Sequence, residues 1–412
     1  MSQRTVITGG LIVSGSDEIR ADLVIDDHQI VAMLDDATGV DTDEQIDATD
    51  LLILPGGVDL HGPTPRADAG SRAQADQRAA AAGGITTLVT DLDTSLDDEG
   101  VRANQTADFA YRYPLTGGSL PSAEQLSRMA QTGITGFSAT MRQTSSQDRA
   151  LTDAELLSML KMLSRLNVPL SLTPMHAEIS VTNPLCELAA VSTALLFAEN
   201  TGAWLHLRNI TTAAAMHQVV ESRARGARVT ASVSALHLAL AASEATRLIQ
   251  PLPPLRSQET IDDLWPFVLD ESVDCIGSLE IRRKGREGPP VSDIQTILPV
   301  FWDEAVTRRK MSRQQAVRML ATNPAQIAGL HPRKGAIRVG SDADLVLFDP
   351  FGSWTIQSRE MRTEARWSPL DDRDVTGFVV RTIRRGTTIY DADRHDDDTL
   401  MPEGSGALLS RV

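Results

Sequence analysis

Between residues 86 and 276 the chain alternates strand-sized apolar runs with helical stretches, and no other feature restricts its fold as much. The apolar runs fall at 86–90, 133–137, 169–173, 203–207, 228–233 and 273–276. Helical patterning fills 71–82, 122–132, 153–166, 185–200 and 212–225, with Thr152 placed to cap the helix after it. A helix-length crossover between successive strands predicts a parallel sheet. About 280 residues of such units, with no dinucleotide fingerprint, close best as a (β/α)8 barrel of the TIM type.

The two ends read differently. Residues 4–13 and 22–33 alternate apolar and polar side chains, and 46–54, 343–349, 375–383 and 387–390 are also strand-like. Strands at both termini predict one small composite β-sandwich domain, 1–55 with 335–412, beside a barrel at 56–334. Residues 391–412 are polar and acidic, which predicts a loose tail. With 412 residues and 42% hydrophobic content the chain can fill both cores. Its net charge of −16 repels phosphate backbones and argues against nucleic acid as a partner. No apolar run reaches the ~18 residues of a membrane span. The N-terminus lacks a basic segment followed by an apolar signal core, so the cytoplasm is the expected location. Cys186 and Cys275 lie far apart in apolar stretches and read as buried free thiols.

Four segments carry a resemblance. Residues 53–61 read ILPGGVDLH, 83–87 read GGITT, 253–257 read PPLRS, and 323–350 read NPAQIAGLHPRKGAIRVGSDADLVLFDP. In this order, over nearly the whole chain, they resemble the cyclic amidohydrolases: dihydroorotase, dihydropyrimidinase or hydantoinase, and allantoinase. The resemblance implies an amidohydrolase-type barrel and ring opening of a cyclic amide by metal-activated hydroxide. It also implies two divalent ions. Their ligands would be a His-X-His pair on the first barrel strand, a bridging carboxylated Lys or an Asp, two further His, and an Asp on the eighth strand that doubles as base.

Carried over residue by residue, the resemblance places the first His of the pair at His61 and the second at Pro63. The bridging ligand belongs near 133–137, where Ser138, Thr140 and Arg142 are the candidates. His176, in PMHAE, matches a ligand; Asn209, in LHLRNITT, stands where another His belongs, and His206 matches a variable position. In VDCIGSLE, Leu279 replaces the essential Asp, with Glu280 beside it. His61 and His176 are thus remnant ligand positions, and four positions are lost. Arg66 falls near the Arg with which dihydroorotases hold a substrate carboxylate. Asp93 falls where they place Asn, and an acidic group there would repel a carboxylate. The candidate pocket is His61, Arg66, Asp93, Arg142, His176, Asn209, His237 and Glu280.

The leading expectation is therefore a non-catalytic homologue serving as an assembly or regulatory partner, resembling those that accompany aspartate carbamoyltransferase in pyrimidine biosynthesis. The alternative is an active hydrolase of cyclic-amide C–N bonds with a metal-poor or metal-independent site, a His working beside Arg142 or Glu280. A third reading is a binding module for a small cyclic amide or ureide. No cofactor is expected, at most one weakly held divalent metal such as zinc. A homo-oligomer, or a hetero-oligomer with a metabolic enzyme, is the expected assembly.

Overall fold

The computed structural model describes residues 3–63, 70–92, 107–143, 149–245, 249–283, 291–394 and 405–411. Its centre is an eight-stranded parallel sheet rolled into a barrel. The strands are β1 (Gly57–Asp59), β2 (Ile85–Asp91), β3 (Asp108–Pro114), β4 (Gly136–Thr140), β5 (Leu170–Thr173), β6 (Leu205–Leu207), β7 (Val229–Ser234) and β8 (Cys275–Gly277), each hydrogen-bonded to the next in sequence. Alternate residues face the surrounding helices, so Phe137, Leu170, Leu172, Leu205, Leu207 and Val233 are buried against Leu156, Leu160, Val191, Met216 and Leu264. The helices start where the sequence offers caps. The Thr152 hydroxyl accepts from the Glu155 N–H while Glu155 accepts from the Thr152 N–H, a reciprocal cap for Asp153–Leu163. Side chains join the ends of the barrel sheet. Asp59 Oδ1 accepts from the Ser278 N–H at 3.1 Å, and the Ser278 hydroxyl donates to the His61 carbonyl at 3.0 Å.

Both termini build the second body. Leu52–Pro55 pairs antiparallel with Leu345–Ile356 inside a six-stranded sheet, and Arg4–Thr8 belongs to a separate four-stranded sheet. Ile7, Leu23, Ile25, Ile53, Leu345, Leu347 and Ile383 fill the space between them. Lys334 bolts this body to the barrel. It is fully buried, and its ammonium donates to Asp108 at 2.6 Å on β3 and to Asp344 at 2.7 Å on the return segment, with Asp342 at 3.0 Å.

Three local expectations are corrected. The fourth barrel strand begins at Gly136, because Gly133, at φ +87°, turns the chain after the preceding helix. β3 is an additional strand; Arg112 interrupts its apolar pattern. Residues 405–411 are docked: Leu409 is buried among Trp204, Ile327 and Leu330, and its N–H donates to the Phe109 carbonyl. Tail backbone that pairs with β3 and inserts an apolar side chain has lost the freedom its polar composition suggests. Among the described residues no helix is long and apolar enough to cross a membrane.

Candidate functional site

The strand C-termini gather polar side chains into a buried cluster. His61 follows β1 and turns into the barrel, where its Nε2 lies 3.3 Å from Ser232 Oγ on β7. Its Nδ1 has no partner among the described residues and faces Gly277, where even a methyl group would come within 2.7 Å. Burial, then the charges of Arg208, His206 and Arg112, push its imidazole well below the usual range. His206, on β6, is fully buried with Nδ1 3.0 Å from Thr230 Oγ1 and Nε2 unpartnered, and is pushed down to about 3 by burial and by Arg112 and Arg208. Both rings are thus neutral at ordinary pH. Asp59 accepts from the His61 and Ser278 N–H groups through Oδ1, and burial pushes its carboxyl up.

Two arginines share one carboxylate above these rings. Arg112 Nε donates to Asp91 Oδ1 at 3.0 Å, and its Nη1 reaches the Leu60 carbonyl and Ser171 Oγ. Arg208 Nη1 lies 3.8 Å from Asp91 Oδ2, an ion pair too long for a hydrogen bond. Burial alone would raise the Asp91 carboxyl; Arg112 and Arg208, with the Ser138 hydroxyl, outweigh it and hold it low. Burial and the neighbouring Arg112 pull Arg208 down to about 10, against the opposing pull of Asp91, Asp59 and Glu280. Sequence reasoning missed Arg112 and Arg208. The available signal was an Arg at an inward position of an otherwise apolar strand.

The proposed pocket residues scatter. Arg66 and Asp93 lie outside the described residues. Asn209 is buried beside Arg208 in a left-handed turn, φ +51°, its N–H donating to Ser232 Oγ and its Oδ1 unpartnered. Glu280 is exposed at the rim and close enough for Arg208 to feel its charge. Arg142 donates to the carbonyls of His176 and Ile179, both at 2.8 Å, so it pins the loop after β5. His176, half-buried in that loop, accepts from the Glu178 N–H; it shares no described polar partner with His61. His237 bridges Ser234 Oγ at 2.7 Å and the Pro253 carbonyl at 2.9 Å, and burial takes it down to about 4. Asp293 is a further residue that sequence reasoning missed. It accepts from the Leu279 N–H at 2.6 Å, and burial, with Asp59 adding, pushes its carboxyl up to about 8.

This donor set does not fit a two-ion centre. Of the three bridging candidates, Ser138 faces Asp91, while the Thr140 hydroxyl donates to the carbonyl of Arg142. Pro63 and Leu279 have no donor side chain, and among the described residues no three His, Cys, Asp or Glu groups converge. Two guanidinium groups hold the adjacent space instead.

The Amidohydrolase family model matches residues 281–390. Over nearly the whole chain the sequence is 29% identical to an allantoinase of Rubrobacter xylanophilus, covering 94% of both chains. It is 25% identical to an L-hydantoinase of Paenarthrobacter aurescens, covering 97% of this chain and 96% of that one. From end to end the chain is similar to cyclic amidohydrolases. The fold agrees. A crystal structure of dihydropyrimidinase from Brevibacillus agri superposes with a TM-score of 0.88 at 24% identity over 99% of both chains, and the L-hydantoinase of Arthrobacter aurescens with 0.89 at 22% identity over the full length of both. In a (β/α)8 barrel, ligands and chemistry belong at the strand C-termini, where Arg208, Asp91 and Glu280 stand.

Proposed function

We propose that the chain is a hydrolase of cyclic amides or ureides that opens a ring C–N bond with a guanidinium in place of the metal pair. The end-to-end likeness to allantoinases and hydantoinases supports the reaction class. The observation that carries the proposal is Arg208, a cation at the barrel mouth with no hydrogen bond among the described residues. Its N–H groups supply positive charge where a ring carbonyl oxygen becomes negative. Glu280, exposed beside it, takes a proton from water as the water oxygen bonds to the carbonyl carbon. When the C–N bond breaks, that proton passes to the ring nitrogen, leaving a carboxylic acid that ionises. Any divalent ion is single and weakly held. The test is turnover of hydantoin, dihydrouracil, allantoin and dihydroorotate by protein made without a metal-binding tag. Ring opening that survives chelation and is lost in Arg208→Gln and Glu280→Gln supports the reading. Absence of turnover on all four, or activity that tracks bound zinc, overturns it.

A second reading is favoured by one observation: Pro63, Ser138, Asn209 and Leu279 all stand where ligands are required. In that reading the barrel is a non-catalytic assembly partner of a metabolic enzyme such as aspartate carbamoyltransferase. Co-elution of the two purified chains would support it, and separate elution at micromolar concentrations would sink it.

A further inference from the structure

Among the described residues, Arg208 presents the least satisfied strong donor in the barrel mouth. A guanidinium carries five N–H donors. Here none makes a hydrogen bond among the described residues, and Nε is buried without a partner. Asp91 does not fill the role, because Arg112 and Ser138 take its hydrogen bonds and Arg208 stays 3.8 Å away. The groups beside Arg208 are also unfilled: Asn209 Oδ1, on the next residue, and His206 Nε2, two residues back on the inward face. Asn209 and His206 are more than nine-tenths buried. Buried polar groups are nearly always paired, so a planar donor fork beside an open acceptor describes a ligand still to come.

We infer that this mouth is a carboxylate site, and that its ligand is a small open-chain ureido acid. The carboxylate accepts from the Arg208 fork, and a ureido N–H donates to Asn209 Oδ1. The charge of Asp93 predicts the opposite preference, but that residue lies outside the described residues, whereas Arg208 is built into the barrel wall. The inference rests on reading the mouth as the ligand site, and it deepens the proposed function by naming the charged, ring-opened form as the tighter ligand.

Isothermal titration of the full chain tests it, with N-carbamoylglycine, N-carbamoyl-β-alanine and allantoate against their uncharged rings hydantoin, dihydrouracil and allantoin. At least one open acid should bind about tenfold or more tighter than its ring. Arg208→Gln should weaken that acid by about tenfold or more, and Arg208→Lys should recover only part, because an ammonium cannot make the two-pronged contact. Should Arg208→Gln fail to fold, the Lys variant and the salt dependence of the wild-type affinity decide the matter. The inference is overturned if no acid binds up to about 10 mM, if rings and acids bind alike, or if Arg208→Lys binds as the wild type does. Binding of the acids without turnover would sink the hydrolase and leave this site standing. Turnover without preference for the acids would do the reverse.

Discussion

Asp91→Asn separates the two jobs of the Arg112–Asp91–Arg208 network, stability and ligand selection. At 3.8 Å, Asp91 and Arg208 attract by about 4 kcal/mol at an effective dielectric of ~20. The Asp91 side chain is 26% exposed, so solvent screening takes roughly half of that. The amide oxygen still accepts from Arg112, more weakly than a carboxylate. A net loss of about 2–3 kcal/mol follows. At roughly 2.1 cal/mol/K per residue the unfolding entropy of this chain is about 0.9 kcal/mol/K, so the melting temperature should fall by about 2–4 °C. Because the Asp91 carboxyl is held low in the folded protein, its contribution is present above its unfolded value near ~4 and disappears as pH falls through the folded one. The two melting curves should therefore differ near neutrality and converge in acid. Ligand affinity should move the other way: with the neighbouring negative charge gone, Arg208 should hold N-carbamoylglycine more tightly, and the acid should raise the variant's melting temperature more than the wild type's. Calorimetry with and without the acid reads both effects. An unchanged melting temperature, or weaker binding by the variant, would refute the reasoning.

Other sites give sharper stability tests. Lys334→Met leaves Asp108, Asp342 and Asp344 facing one another in the interior, and should cost about 3–5 kcal/mol and lower the melting temperature by about 4–6 °C; a variant that melts within 1 °C of the wild type would remove Lys334 as the bolt between the two bodies. His206, held down to about 3, is neutral when folded and protonated when unfolded between there and about 6.5, so stability falls as pH drops through that window; urea midpoints at pH 7 and 5 should converge in His206→Gln relative to the wild type. Asp293 behaves oppositely. Its folded carboxyl, pushed up to about 8, keeps a proton that the unfolded chain releases, so stability is lost as pH rises from about 4 to about 8. Asp293→Asn keeps the bond from Leu279 and should gain relative stability across that window, visible as a rising difference in melting temperature.

Much of the fold was legible because it rests on local signals. The pattern 53–61 gave the first barrel strand and put His61 at its end, and the segment from Asn323 gave the return to the β domain. Strand β3 was not legible. It carries Arg112 at an inward position, and a charge inside an apolar pattern argues against a buried strand unless its partner is known. That partner, Asp91, lies on another strand, and only the parallel register of Arg112 with Asp91 brings them together. The tail at 405–411 hides for a related reason: its anchor is Leu409, in a short ALL run that ends a polar stretch, and its pairing with Phe109 spans nearly 300 residues. At the mouth, resemblance pointed to Pro63, Asn209 and Leu279 as positions without the expected ligands but had no means of showing which side chains gather beside them. Arg142 looked like an electrophile from its place after β4; its hydrogen bonds to two carbonyls of the next loop assign it to holding that loop.

The losses and the gains at the mouth form one electrostatic change. A divalent pair needs carboxylates and neutral imidazoles around it, and an unpaired cation close by weakens its hold. Here the eighth-strand position carries Leu279, the bridging region offers Ser138, and Arg208 is the immediate neighbour of Asn209 where a His is required. Placing a divalent ion beside His61 would set it against Arg112 and Arg208, whose charges already depress the imidazoles of His61 and His206. Restoring one ligand, Asn209→His for example, would therefore leave the repulsion in place. The guanidinium groups and the missing ligands support each other, and each makes the return of the other costly. Among the described residues the strongest open feature of such a mouth is a fork of N–H donors, and the natural complement of that fork is an anion.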